Sequence, residues 1–314
     1  MWAVEYRRHG GPEVLEIIER PVPDLRRGQA LVRVLASCVS RIDARYMHGR
    51  LPHGIGFPKQ VGFDAIGQVV DANGTGLGEG SWVAIVLGLE PLTRRGTSVE
   101  MLAIEPSRCG VFPPDYTPDP QDCALALGGL TALKAVRDVL RTQPGQRLLV
   151  LGAGGPVGLA AIQIAARHGA TVDAVAGQRA LTTCRDLGAQ EAWDHRDDLE
   201  EIQSSRGYDG MVAAAGRPAE WLTAVRPGGR TVVVDGGAWP ATVAPALRQH
   251  VTSLPVAAGH ASQDLAWLAR AIAARELMPV VGSWHSPKRI RSAYEELDSG
   301  NTLGARLIDH SEMP

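Results

Sequence analysis

The chain has no run of apolar residues that approaches the length of a bilayer span. Its first residues, Met1-Trp2-Ala3-Val4-Glu5-Tyr6, turn polar at once and lack the apolar core of a secretory signal. Basic charge is not in surplus: 32 Lys and Arg stand against 34 Asp and Glu, a formal net charge of -2. Such a chain has no overall field to gather nucleic acid. Cysteine is sparse. Cys38, Cys109, Cys123 and Cys184 form no C-x-x-C pair, so neither a metal knuckle nor a disulfide framework is spelled out. Internal repeats and low-complexity stretches are missing as well. These absences exclude nucleic acid and membrane as expected partners. They leave a small-molecule substrate and a reducing, cytoplasmic location as the expectation.

What remains is an ordinary globular composition, 45% hydrophobic and 21% charged over 314 residues, ample for two cores. The first third alternates in polarity in Ala30–Ala36, Ala65–Val70 and Trp82–Val86, between glycine and proline punctuation. That is the pattern of a short-stranded barrel or sandwich. The character changes near Pro118-Asp119-Pro120. Apolar stretches at Leu148–Leu151, Thr171–Ala176, Gly210–Ala215 and Thr231–Val234 then alternate with helical periodicity at 121–140, 156–168 and 180–187. Buried strands alternating with helices predict a parallel sheet of βαβ units, an α/β architecture. Helices at 265–276 and 287–297 and a strand at 304–308 are expected to close the chain.

The sharpest local signal is the segment Gly152-Ala153-Gly154-Gly155-Pro156-Val157-Gly158, between a predicted buried strand and a predicted helix. Gly152 suits a tight turn. Gly154 or Gly155 lets backbone approach a pyrophosphate, and Gly158 lets the helix pack closely on the sheet. Pro156 fits a first helical turn, where its missing N–H is harmless. Helix N-terminal N–H groups would then face the phosphates. The strand, the helix and a second strand all fall where a dinucleotide site requires them. The second strand ends in Ala176-Gly177-Gln178-Arg179, with no acid to hold a ribose 2′-hydroxyl. Asp173 sits too early, inside the strand. Arg179 is placed to face a 2′-phosphate, and His195-Arg196 follow the third short strand. The expectation is NADPH, with Gln178, Arg179, His195 and Gly236 completing the cofactor set.

Several segments together resemble the medium-chain dehydrogenase/reductase superfamily. They are the opening Gly11-Pro12-Glu13-Val14-Leu15, the stretch from Pro58 through Gly62 and Asp64 to Gly67, and Gly128-Gly129-Leu130-Thr131-Ala132. The Gly152–Gly158 loop, Leu187-Gly188-Ala189 and Arg226-Pro227-Gly228-Gly229-Arg230 follow in order. The loop is similar to that of the quinone oxidoreductase branch, with Pro156 a departure. The resemblance implies a GroES-like β-rich catalytic domain over 1–118, completed by 262–314. It implies a Rossmann doubly wound parallel sheet over 119–261, a cleft between the two, and a homodimer. Zinc-dependent members carry a cysteine where this chain has Ser40 and a histidine where it has Phe63, and the four-cysteine lobe is missing. The resemblance therefore implies chemistry without catalytic zinc.

Without zinc, conjugate reduction is a good fit: hydride adds at the β-carbon, and donors stabilise charge on the oxygen. Tyr46 lies in the segment that lines the cleft in the family and can donate a hydrogen bond or a proton. A half-buried rim tyrosine is the competing reading. Ser40 stands where quinone reductases often have Asn, and Thr131 matches a threonine near the nicotinamide ribose. His48 is more often an exposed loop histidine than a donor, Asp43 reads as structural, and Lys134 as a salt-bridge partner. The function expected is an NADPH-dependent reductase of enones, quinones or enoyl thioesters, in one variant confined to a single biosynthetic substrate. The alternative is a non-catalytic NADPH-binding structural or sensor protein of the same fold.

Overall fold

The computed structural model describes residues 1–51, 56–88, 94–197, 199–205, 207–234, 250–253, 261–300 and 303–313. The chain divides into two compact units, one of Met1–Leu127 with Ala257–Pro314 and one of Gly128–Val256. The first unit opens with β1 (Trp2–Tyr6), β2 (Glu16–Glu19) and β3 (Ala30–Val39). The helix α1 (Arg41–Met47) leads to β4 (Lys59–Gln60), β5 (Asp64–Asp71), β6 (Trp82–Val86), β7 (Met101–Ile104) and β8 (Cys109–Val111). In β3 the expected alternation holds at first: Ala30, Val32, Val34 and Ala36 are buried while Arg33 is exposed. It ends at Ser37-Cys38-Val39, which are all buried because both faces of the strand are covered there.

The first unit extends to Leu127 rather than stopping near 118. Pro120–Leu125 forms a 3-10 turn started by a capping box between Asp119 and Asp122, and it packs on β3 and β5. The periodicity that predicts one helix over 121–140 is accordingly broken. A 3-10 turn comes first, then α2 (Leu127–Leu133), then a π-helical turn at Lys134–Val139. The wider register shows in Leu140 N–H donating to Ala135 O at 2.9 Å.

In the second unit the strands are β9 (Arg147–Leu151), β10 (Thr171–Ala176), β11 (Ala189–Asp194), β12 (Tyr208–Ala213), β13 (Val225–Val233) and β14 (His250–Ser253). Between them lie α3 (Pro156–Arg167), α4 (Leu181–Asp186) and α5 (Glu200–Ser204). All pairings are parallel, in the order β11-β10-β9-β12-β13-β14. This is the doubly wound Rossmann order. Leu148 to Leu151 are buried without alternation because β9 is central and covered on both faces.

The chain then returns to the first unit through α6 (Ser262–Ala273), β15 (Val281–His285), α7 (Ile290–Asp298) and β16 (Ala305–Asp309). There β16 pairs antiparallel with β3 and β15 parallel with β16, giving the order β15-β16-β3-β5-β6-β8, with β7 also on β3. No helix among the described residues is long and apolar enough to cross a membrane.

Asp173, too early in β10 to hold a ribose, has a structural partner set. It is buried, accepts from the Tyr208 hydroxyl at 2.9 Å and pairs with Arg147 at 2.8 Å, and Arg147 lies over the Tyr208 ring. Half-exposed Arg147 weakens the ion pair by screening, so the buried tyrosine hydroxyl dominates. Asp173→Ala leaves that hydroxyl unsatisfied. It is expected to lower stability by roughly 1–3 kcal/mol in urea denaturation, with cofactor preference unchanged.

Candidate functional site

The glycine loop leaves the C-terminal end of β9 and runs into α3. Gly152 has φ +69°, and a Cβ there would fall 2.6 Å from Ala215 Cβ. At Gly158 a Cβ would fall 2.5 Å from Ala153 Cα and 2.6 Å from Gly152 O, so only glycine lets the helix sit this close to its own turn. Gly155 differs. A Cβ there would meet nothing nearer than Gly152 O at 3.7 Å, so its face is open. Gly154 is buried within the turn, and Val157 is half-buried. Pro156 is the first residue of α3 and packs on Gly128, while Gly155, the N-cap, supplies no side-chain acceptor. The first-turn N–H groups of α3 are therefore left without a side-chain cap, and this is the arrangement that accepts a phosphate.

The strand ends beside it complete a second cluster. After β10, Gly177 caps a 3-10 turn whose Gln178 and Arg179 are exposed. His195, just past β11, folds back on the end of β10. Its N–H donates to Ala176 O at 2.9 Å, and its Nδ1 lies 3.1 Å from the same oxygen. The structure thus brings Gly177, Gln178, Arg179 and His195 to the C-terminal ends of two adjacent parallel strands. Arg196 is engaged differently from Arg179. It grips Asp194 through Nε at 3.0 Å and Nη2 at 2.5 Å. The carboxyl of Asp194 is held well below the usual carboxylate range, foremost by this hydrogen bond. Asp194 is an acid at the strand ends that sequence reasoning passed over, because it belongs to the neighbouring strand. Gly236 lies outside the described residues.

In the first unit Ser40 is the N-cap of α1. Its hydroxyl oxygen accepts from Asp43 N–H at 3.4 Å and the Asp43 carboxylate accepts from Ser40 N–H at 3.0 Å, a capping box, while the hydroxyl also donates to Asp43 Oδ2 at 2.5 Å. Asp43 Oδ1 also accepts from Gly62 N–H at 2.9 Å, so it bonds backbone donors as its sequence position suggests, from a helix start rather than a turn. Tyr46 is half-buried and stacks on Phe63, ring centroids 5.7 Å apart. Burial raises its phenol pKa. His48 pairs with Asp298 at 3.2 Å. Thr131 is buried within α2 of the second unit.

A family model described as zinc-binding dehydrogenase matches residues 156–274. The NADPH-dependent alkenal/one oxidoreductase of Arabidopsis thaliana chloroplasts is 29% identical over 81% of this chain, a match that spans 66% of that relative's length. A quinone oxidoreductase of Pongo abelii is 26% identical over 98% of this chain and 97% of its own. The structure of the quinone oxidoreductase from Coxiella burnetii superposes with a TM-score of 0.88 over 99% of both chains at 22% identity, a likeness of fold. The chain is similar to the medium-chain dehydrogenase/reductase superfamily and has its two kinds of unit, one GroES-like and one Rossmann. It is an oxidoreductase whose similarity is to the quinone oxidoreductase-like branch.

The matched family's description implies zinc. The positions where zinc-dependent members carry ligands do not fit one here: Ser40 is held in its cap, and Phe63 offers no donor. Another donor set does fit. Among the described residues, Cys38 Sγ, Cys123 Sγ and an Asp64 carboxylate oxygen lie within 4.8 Å of one another, all buried. Sequence spacing points to no ligands because 85 positions separate the two cysteines. Asp64 Oδ2 accepts from Leu127 N–H at 3.0 Å, while Oδ1 has no hydrogen-bond partner. Burial pushes the Asp64 carboxyl up to about 7, against the Leu127 hydrogen bond that lowers it.

This raised value fixes a sign. The stability that protonated Asp64 contributes is full below about pH 4, the unfolded value, and is lost as pH rises through its folded value. Asp64→Asn keeps an acceptor for Leu127 and removes the titration. In metal-free buffer the variant is expected to gain on the wild type in urea midpoint between pH 4.5 and 7.5. Parallel pH profiles would mean that Asp64 titrates alike in folded and unfolded chains.

Proposed function

We propose that this protein transfers a hydride from NADPH to the β-carbon of a conjugated carbonyl compound, an enone, quinone or enoyl thioester, with no metal ion on the reacting oxygen. The observation that carries the reading is the end of β10. It has no carboxylate and exposes Arg179, while Asp194 at the end of the neighbouring strand is already matched by Arg196. The printed name of the Arabidopsis relative supports the same cofactor and substrate class. When bound, NADPH supplies the hydride.

The chain's own residues divide the remaining work. Gly152, Gly154, Gly155, Pro156, Val157 and Gly158 take the pyrophosphate on uncapped backbone N–H groups. Arg179, with Gln178 and His195 beside it, takes the 2′-phosphate. Tyr46 offers its hydroxyl to the substrate oxygen, where negative charge develops as hydride reaches the β-carbon. Its stacking on Phe63 fixes the ring. Ser40 acts through the α1 cap, as a positioning residue for Tyr46, and Thr131 serves the nicotinamide side. The reading includes a homodimer and a cytoplasmic location, the latter supported by four buried thiols.

Two measurements test it. Titration should show tighter binding of NADPH than NADH. Arg179→Ala should weaken NADPH by about tenfold, the lower end of a charge-assisted contact because the site is open to solvent, and leave NADH unchanged. Equal binding of the two cofactors in the wild type would overturn the NADPH assignment.

With deuteride-labelled NADPH and a panel of enones and quinones, label should appear at the β-carbon. Tyr46→Phe, which keeps the stack, should reduce kcat by roughly a hundredfold. An unchanged kcat would remove Tyr46 from the chemistry. A full panel without turnover would favour the non-catalytic alternative.

A further inference from the structure

The three buried donors in the first unit have no part in hydride transfer. Cys38 lies on β3, Asp64 begins β5, and Cys123 lies in the 3-10 turn that follows Asp119. Cys38 is 7% exposed, Asp64 1% and Cys123 0%. The two sulfur atoms are 3.6 Å apart. Two thiolates on one tetrahedral zinc, each with a bond of about 2.3 Å, stand about 3.8 Å apart. The pair is therefore already at the spacing of a shared ion. The second observation is Asp64 Oδ1, a carboxylate oxygen in a fully buried residue with no hydrogen-bond partner. An orphaned buried acceptor of this kind calls for a ligand.

We infer that Cys38, Asp64 and Cys123 form a buried site for one borderline-soft divalent cation, zinc in the first instance, that clamps β3 and β5 to the Pro120–Leu125 turn. The donor set, two sulfurs and one oxygen, selects zinc over calcium or magnesium, which take oxygen alone. It is not the ligand set of the zinc-dependent relatives, whose positions here hold Ser40 and Phe63. Its burial leaves no face open to a substrate, so the ion is structural and the hydride chemistry proceeds without it.

Binding is balanced as a proton exchange. The cation displaces the protons of two thiols, and of Asp64 where that carboxyl is protonated, and forms two metal–sulfur bonds and one metal–oxygen bond. Before binding, the Cys38 thiol donates to Cys123 O at 3.3 Å and the Cys123 thiol to Ala36 O at 3.5 Å. Those carbonyls lose their donors when the ion enters. Either of them, or a buried water, is then the fourth ligand. Asp64 Oδ2 keeps its bond from Leu127, which holds the carboxylate and leaves Oδ1 for the ion.

Because the site is closed, the ion must enter during folding. The full chain is therefore produced in cobalt-supplemented medium under reducing conditions and purified, with cobalt as the probe. The expected result is about one cobalt per chain, with intense near-ultraviolet sulfur-to-cobalt absorption and the visible bands of a tetrahedral ion. Zinc-supplemented growth should give about one zinc per chain. Cys38→Ser and Cys123→Ser should each lose at least half of the near-ultraviolet band, and Asp64→Asn should lower metal content more than twofold. NADPH binding in the same preparations reports that the second unit is folded, and circular dichroism reports the first. If a variant does not fold, the wild-type spectrum decides alone. Wild-type protein that is folded and metal-free after both growths would overturn the inference. So would a cobalt spectrum without sulfur absorption, or a Cys38–Cys123 disulfide in its place.

Discussion

The Rossmann unit depends on how closely α3 can approach the turn it leaves. A Cβ at Gly158 would overlap the backbone of Ala153 and Gly152, and a Cβ at Gly152 would overlap Ala215. With both glycines in place, α3 starts directly at the turn that leaves the C-terminal end of β9, packed against Ala153 and, through Gly152, against Ala215. A methyl group at either glycine would force the helix away from its own turn, and a helix start held this close with uncapped N–H groups is the arrangement that dinucleotide sites use.

In the GroES-like unit the organising constraint is the satisfaction of buried polar groups. Asp43 and Asp64 are both nearly fully buried, and burial pushes the Asp43 carboxyl up to about 6 despite hydrogen bonds from Ser40 and Gly62. Gly62 itself has φ +100° and sits against Thr97, whose hydroxyl donates to Asp64 O at 2.8 Å. The loop carrying Phe63 is therefore fixed on one side by Asp43 and on the other by Thr97. Together with the bond from Leu87 N–H to Phe63 O at 2.8 Å, that explains how Phe63 is held against Tyr46. The same stretch holds Asp64 in place with one carboxylate oxygen bonded and one not.

What was legible in the sequence is what short-range pattern encodes. The glycine loop, the buried run of β9 and the alternation in the first part of β3 are set by neighbouring residues and fall where periodicity places them, whereas β6, read as alternating, is buried throughout Val83–Val86. The single helix expected over 121–140 failed because Asp119 and Pro120 start a tight 3-10 turn and α2 then runs into a π turn. Apolar spacing does not report either event. The edge strand β15 was missed because its burial is only partial and its partner β16 follows two dozen residues later. The meeting of Cys38 with Cys123 was illegible for the same physical reason on a larger scale. Sheet register and a chain return bring them together, and neither has a local signature.

The end of β10 shows how charge at a site differs from charge in a sequence. Read along the chain, the segment after the second strand has a base and no acid, and the conclusion is a plain preference for phosphate. In the fold an acid does stand nearby, because β11 runs parallel to β10 and ends in Asp194. Left alone, that carboxylate would repel a 2′-phosphate across a short distance in a partly desolvated place. Arg196 cancels it with a two-point contact, and the main-chain N–H of Arg196 adds a third bond at 3.0 Å. Arg196 is thereby consumed as a counter-ion and is not available as a phosphate ligand, although it is as close in sequence as His195. Of Arg179 and Arg196, the arginines just past the ends of β10 and β11, Arg179 is then the one left without a carboxylate partner among the described residues. Among the described residues its exposed guanidinium makes no ion pair, so in the proposed reading any preference for a 2′-phosphate depends on that side chain more than on Arg196.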